Sequence, residues 1–133
     1  MAQYGHLTTL DEAECRLLLA TCSFGRVGWN SASGVQILPV SYGLVDDLIV
    51  FRTAPGSSLA QLVRPVEVSF QVDDLDTETS TGWSVLVHGL SGAPVASLPA
   101  DMPAPWPPGD RPIVIGIAAD HFGFGRSDKP VDD

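Results

Sequence analysis

Apolar and polar residues recur with two different periods along this chain, and the change of period divides it. Between Leu10 and Ala20 the apolar residues Leu10, Ala13, Leu17 and Leu18 repeat at helical spacing, which predicts a helix over residues 10–20. Thr9 followed by Glu12 has the spacing of a capping box and marks its start. Ser23-Phe24-Gly25 ends it. From there the period shortens to that of extended chain. Residues 25–29 (GRVGW) predict a first strand, and the turn-forming run at 30–34 a connection. Residues 35–42 predict a second strand in which Pro39 implies an edge, a bulge or a subunit contact. Residues 43–47 predict a turn.

The run Leu48-Ile49-Val50-Phe51 is apolar without a break and predicts a strand buried on both faces. Residues 66–72 alternate, with Val66, Val68, Phe70 and Val72 on one face and Glu67, Ser69 and Gln71 on the other. Residues 73–82 (DDLDTETSTG) predict a solvated acidic loop; the positions of Gly and Glu do not match a calcium-binding loop. Residues 83–89 predict a strand with Trp83, Val85 and Val87 sharing a face opposite Ser84, Leu86 and His88. The Pro-rich stretch 102–112 breaks regular structure. Residues 113–118 (IVIGIA) predict the last strand. One helix followed by about six short strands at hairpin spacing predicts a small antiparallel barrel with one or two helices attached.

The chain has 133 residues, 44% of them hydrophobic, which fits one compact domain. Its formal charge is −9, with seven Lys and Arg against sixteen Asp and Glu. That balance argues against nucleic acid or an anionic membrane as partner. No apolar run approaches the roughly 18–20 residues of a membrane span, and the N-terminus lacks the regions of a signal peptide. Cys15 and Cys22 lack a CxxC partner, and seven residues along a helix is poor geometry for a disulfide. The expectation is reduced thiols in a cytoplasmic protein. His6, His88 and His121 show no metal-ligand spacing.

The richest chemistry lies at residues 52–58. Arg52 and Thr53 stand at a strand end, Ala54-Pro55-Gly56 turns the chain, and Ser57-Ser58 precedes a short helical segment at 59–62. A guanidinium, three hydroxyls and turn amides within seven residues suit a phosphate group. Gly56 permits close backbone approach. The same residues also compose a strand, a turn and a capped helical turn with a solvated arginine, and the local pattern does not separate the two.

Taken in order, GRVGW at 25–29, ILPVSYG at 37–43, IVFRTAPGSSL at 49–59, VSFQVDDLD at 68–76 and GWSVLVHG at 82–89 resemble the pyridoxamine 5′-phosphate oxidase-like family of flavin-binding split barrels. WPPGDRPIVIGI and FGFGR resemble that family's closing strand and C-terminal Gly-Arg turn. The resemblance implies a mainly β (α+β) fold: a six-stranded antiparallel split β-barrel with one N-terminal helix and short accessory helices. It spans a single domain over residues 1–133, with a loose leader at 1–7 and an acidic tail at 127–133. It also implies a homodimer with cofactor sites at the subunit interface.

By position, the resemblance assigns Arg52 and Thr53 to the FMN phosphate and ribityl chain, and Ser57 and Ser58 to the phosphate-holding turn. Pro39, Val40 and Ser41 fall on the strand whose backbone lines the flavin ring. Trp83 and Ser84 fall on the strand that reaches the cofactor from the neighbouring subunit. The implied activity is an FMN-dependent oxidoreductase acting by hydride or electron transfer on a small-molecule substrate. Some such barrels hold a deazaflavin or haem instead, and a non-catalytic or degenerate cofactor site is the alternative. Ser58 stands where many relatives carry Lys or Arg, a loss on the order of 1.5–3 kcal/mol in phosphate binding. Catalytic residues are not assigned. Trp29 and Trp106 are expected to pack, and His88, His121 and Arg126 carry no role the sequence fixes.

Overall fold

The structure, a computed structural model, describes residues 7–94, 111–123 and 125–127, with side chains discussed for residues 9–94 and 111–120. The rest of the expected leader and tail, the Pro-rich stretch through residue 110, Trp106 and Phe124 lie outside the described residues. The elements are β1 (Leu7–Thr9), α1 (Glu12–Thr21), β2 (Phe24–Ser31), β3 (Gly34–Val45), β4 (Leu48–Thr53), β5 (Glu67–Asp76), β6 (Thr81–Gly92), β7 (Ile113–Gly123) and β8 (Gly125–Ser127). A 3₁₀ helix, Ser58–Val63, lies between β4 and β5. No helix of the described residues is long and apolar enough to cross a membrane.

Six strands close a barrel in the order β6-β5-β2-β3-β4-β7, because β6 pairs with both β5 and β7. All these pairings are antiparallel. Near its start, at Gly82 and Trp83, β6 also pairs with β8, which is joined on its other edge by β1. Leu7, expected in the leader, is therefore the first residue of a strand. The six-stranded barrel with one N-terminal α-helix matches the expected fold class.

Hairpin chemistry explains why the observed strands outrun the expected ones. The β2–β3 ladder runs from Phe24↔Ser41 to Ser31↔Gly34 and turns over Ala32 and Ser33 alone. β3 continues through Gly43 to Val45, and the chain reverses over Asp46 and Asp47, with Asp46 at φ 54°. An Asp tolerates that left-handed conformation at the turn. Residues 73–82 are a loop only at 77–80: Asp73 to Asp76 pair with Ser84 to Thr81. Asp76 ends the strand by accepting hydrogen bonds from the N–H groups of Glu78 (3.0 Å) and Thr79 (3.3 Å). Cross-strand pairing outweighs the weak β preference of four acidic-stretch residues.

The helix cap lies two residues later than expected. Asp11, not Thr9, is the N-cap: its carboxylate accepts the Glu14 N–H at 2.8 Å, and Glu14 reaches back to the Asp11 N–H. Thr9 belongs to β1 instead. The buried face is consequently Cys15 and Leu19, while Leu17 is 69% exposed. The helix is pinned to the barrel by the Tyr42 hydroxyl, which donates to the Leu19 carbonyl at 2.6 Å.

Inside the barrel, Val27, Val40, Tyr42, Phe51, Phe70, Val85 and Ile115 form one continuous core. Tyr42 and Phe70 meet edge to face, their centroids 5.0 Å apart. Leu62 of the 3₁₀ helix joins this core, and the Ser91 hydroxyl donates to the Arg64 carbonyl just beyond it at 2.8 Å.

Candidate functional site

β3 and β4 pair only from Tyr42↔Phe51 to Val45↔Leu48. Beyond Phe51, β4 stays bonded to β7 as far as Thr53↔Ile113 but leaves β3. The opening between them is the split of the barrel, and the 52–58 corner stands beside it. Strand alternation points Phe51 and Thr53 inward and Arg52 outward. Arg52 is exposed, and its guanidinium makes no hydrogen bond or ion pair with any described residue. Gly56 turns the chain at φ 82°, and a Cβ there would meet no atom within 4 Å.

The three hydroxyls of this corner are not equivalent. Thr53 is 2% exposed, and its hydroxyl lies 2.6 Å from that of Ser57. Each is the other's partner, which fixes the turn. Ser58, the first residue of the 3₁₀ helix, is exposed. The outward-facing chemistry of the corner is therefore Arg52, Ser58 and open space over Gly56.

On β3, Pro39 and Ser41 face outward opposite Arg26 and Phe24 of β2, whereas the Val40 side chain is buried in the core. Trp83 and Ser84 lie opposite Asp74 and Asp73 on β6, and Ser84 accepts a hydrogen bond from Gln71 Nε2 at 3.0 Å. From β3 to β6 there are three strand steps, about 4.8 Å each, so Ser84 stands roughly 14 Å from Ser41 within one chain. The structure brings Arg52, Thr53, Ser57 and Ser58 together. It does not bring Trp83 or Ser84 to them.

Two clefts open along the outer face of β2. One, of about 380 Å³, is bordered by Cys22, Phe24, Arg26, Pro39 and Asp73. The other, of about 590 Å³, is centred on Gly28, with Val35 and Ile37 on one side and Glu67, Ser69, His88 and Asp120 on the other. His88 Nδ1 lies 3.0 Å from the Ser69 hydroxyl. The backbone sets His121 opposite His88 in the β6–β7 ladder, and Arg126 opposite Trp83. Trp29 packs in the core as expected and borders the larger cleft; its indole N–H is buried and finds no acceptor among the described residues.

Sequence reasoning missed Arg26, Gly28, Glu67 and Asp120 as cleft residues. The available signal was the alternation Phe24, Arg26, Gly28, Asn30, an outward face interrupted by a residue without a side chain. Cys15 and Cys22 are both free. Burial, then Asp11, Glu14 and Glu12, pushes the Cys15 thiol up, and burial followed by the Cys22 charge pushes the Tyr42 phenol up. Both therefore stay protonated at neutral pH. Among the described residues no group of three or more His, Cys, Asp or Glu is placed to hold a metal.

A family model for pyridoxamine 5′-phosphate oxidase matches residues 11–95. An uncharacterised protein of Mycobacterium tuberculosis is 38% identical over 87 residues, covering 62% of this chain and 57% of that protein. The chain thus spans a little over half the length of that relative. The FAD binding protein of Mycobacterium smegmatis is 25% identical, with a TM-score of 0.71, covering 91% of this chain and 98% of that one. An FAD and haem binding protein of the same organism shares the fold at 16% identity and a TM-score of 0.71, covering 95% of this chain and 77% of that one.

Proposed function

The chain belongs to the pyridoxamine 5′-phosphate oxidase family, and on that premise we propose that it is a flavin-binding oxidoreductase whose cofactor is held between two copies of the chain. The observation that carries this reading is Arg52. A guanidinium without a partner among the described residues, in a chain of net charge −9, stands over an open Pro-Gly corner. None of the described acidic residues pairs with it, which favours an external anion. FMN and FAD both carry a phosphate for it.

At that corner Arg52 would grip phosphate bidentately, and Ser58 would add a hydroxyl. The Thr53 and Ser57 hydroxyls bond each other, which holds the turn, and whichever of the two accepts would keep its own O–H for a phosphate oxygen. The ribityl chain and ring would then run along β3 past Ser41 and Pro39 into the 380 Å³ cleft. A flavin bound there supplies the group that accepts or donates a hydride or electrons. Arg26 and Asp73 border that cleft and would position the ring by hydrogen bonding and charge.

The dimer is supported by the free edge of β3. Among the described residues, 34–41 pair with β2 alone, and the outward positions Val35 and Ile37 are 71% and 65% exposed. An exposed apolar edge invites pairing and is normally covered. The roughly 14 Å between Ser41 and Ser84 likewise favours Trp83 and Ser84 reaching the cofactor of the other copy.

A second reading, a flavin, deazaflavin or haem carrier without turnover, is favoured by the single outward cation of the corner. The test is an absorption spectrum and mass identification of whatever copurifies, followed by titration of stripped protein with FMN, FAD, a deazaflavin and haem. Flavin uptake coupled to electron transfer is the expected result. A Soret band, or flavin bound without turnover, supports the carrier; a colourless protein that takes up none of them overturns both readings.

A further inference from the structure

The larger cleft has a chemistry of its own. Its floor is Gly28, where a Cβ would sit 3.5 Å from the Gln36 carbonyl and 3.6 Å from Ile37 Cγ1, so the space above it exists because no side chain fills it. Val35 and Ile37 form an apolar wall, and Glu67 and Asp120 contribute two carboxylates. Among the described residues no Lys or Arg borders it. Neither carboxylate forms a salt bridge with a described residue. At about 590 Å³ the cleft is the size that small organic ligands occupy.

We infer that this cleft is the substrate pocket and that it takes a small cation with an apolar body, rather than a phosphate ester. The apolar part lies over Gly28 against Val35 and Ile37, and the cationic head meets Glu67 and Asp120. The inference rests on the flavin reading for its place in the reaction: Gly28 is two residues along the same face of β2 from Arg26, which borders the proposed ring site. A second copy seated on the β3 edge would roof the cleft and keep water from it. Two carboxylates, with no Lys or Arg among the described lining residues, repel a phosphorylated substrate, so the family's eponymous reaction is disfavoured here on charge.

The experiment uses three probes of similar size on isotope-labelled full-length protein, with and without FMN: phenethylamine, 2-phenylethanol and benzyl phosphate. Amide shifts at Gly28, Ser69 and Gly89 should appear with the amine first, weakly with the alcohol, and not with the phosphate. Glu67→Gln together with Asp120→Asn should lower amine affinity about five- to tenfold, to that of the alcohol. Gly28→Val should abolish the shifts; if that variant fails to fold, the exposed carboxylate pair still decides the matter. Benzyl phosphate binding as tightly as the amine, amine shifts mapping elsewhere, or an unchanged affinity in the double variant would overturn the inference. FMN uptake is read by absorbance in the same samples. Flavin bound without amine selectivity sinks this inference alone, whereas amine selectivity without flavin uptake sinks the flavin reading.

Discussion

Along β3, the inward residues Val40 and Tyr42 are buried, and Tyr42 is held by both Phe70 and the Leu19 carbonyl. The outward residues Val35, Ile37 and Pro39 of the same strand are exposed and touch a free edge and two clefts. The inner face of β3 packs into the core of its own chain. Among the described residues, the outer face leaves apolar side chains, a cation and an open corner without partners. Stability and function are thus separated by the two-residue period of the strand, and substitutions one residue apart should fall into different classes.

The comparison breaks most visibly at Phe70. Phe70→Ala leaves a cavity in the centre of the barrel and strands the Tyr42 ring, and should cost about 3–5 kcal/mol in urea unfolding. A loss below 1 kcal/mol would mean the barrel interior repacks freely and the distinction between faces is weaker than drawn. Arg52→Ala tests the other side. It should leave the melting temperature unchanged while lowering FMN affinity on the order of ten- to a hundredfold. Riboflavin, which lacks the phosphate, should bind the variant as it binds the parent protein. Equal losses for both ligands would remove the phosphate role.

Tyr42→Phe is a smaller change on the inner face. It deletes the hydrogen bond to Leu19 and should cost about 1–2 kcal/mol. It also bears on pH. Cys15 and Tyr42 both hold their protons more tightly folded than their ordinary values of 9.0 and 10.0 allow in an unfolded chain. The unfolded state therefore releases protons first, and stability falls as pH rises above about 9. The parent protein's urea midpoint should drop between pH 8 and pH 11 (roughly, the window these groups define), and the drop should be smaller in Tyr42→Phe. The least stability change is expected on the outer edge. Val35→Asp with Ile37→Asp should alter the monomer's own unfolding by no more than about 0.5 kcal/mol, yet shift the proposed dimer to monomer in sedimentation. An unchanged sedimentation profile would place the subunit contact elsewhere.

Several elements were readable before any coordinates. The alternation of Val68, Phe70 and Val72, and of Val85 and Val87, names core residues correctly, because a half-buried strand must alternate. The 52–58 corner was likewise visible as a local run of residue types. The helix cap was misplaced because Thr9 and Asp11 both begin acceptable boxes, and the choice between them was made by β1 pairing with β8, a contact with residues more than a hundred positions away. Residues 73–76 read as a loop because their composition is polar, whereas the ladder to Thr81–Ser84 that makes them a strand depends on the pairing of two runs and not on either alone.

The sequence alone determined the order of the helix and the six barrel strands, the inner faces of β5 and β6, and the family, since these follow from residue type and spacing over short distances. Only the tertiary structure decided that the Thr53 and Ser57 hydroxyls bond each other, that Arg52 has no partner among the described residues, and that Gly28, Glu67 and Asp120 border one cleft. Those facts depend on which strands lie side by side and where β3 and β4 part. No local pattern carries that information, because register across a closed barrel is fixed jointly by all six of its strands.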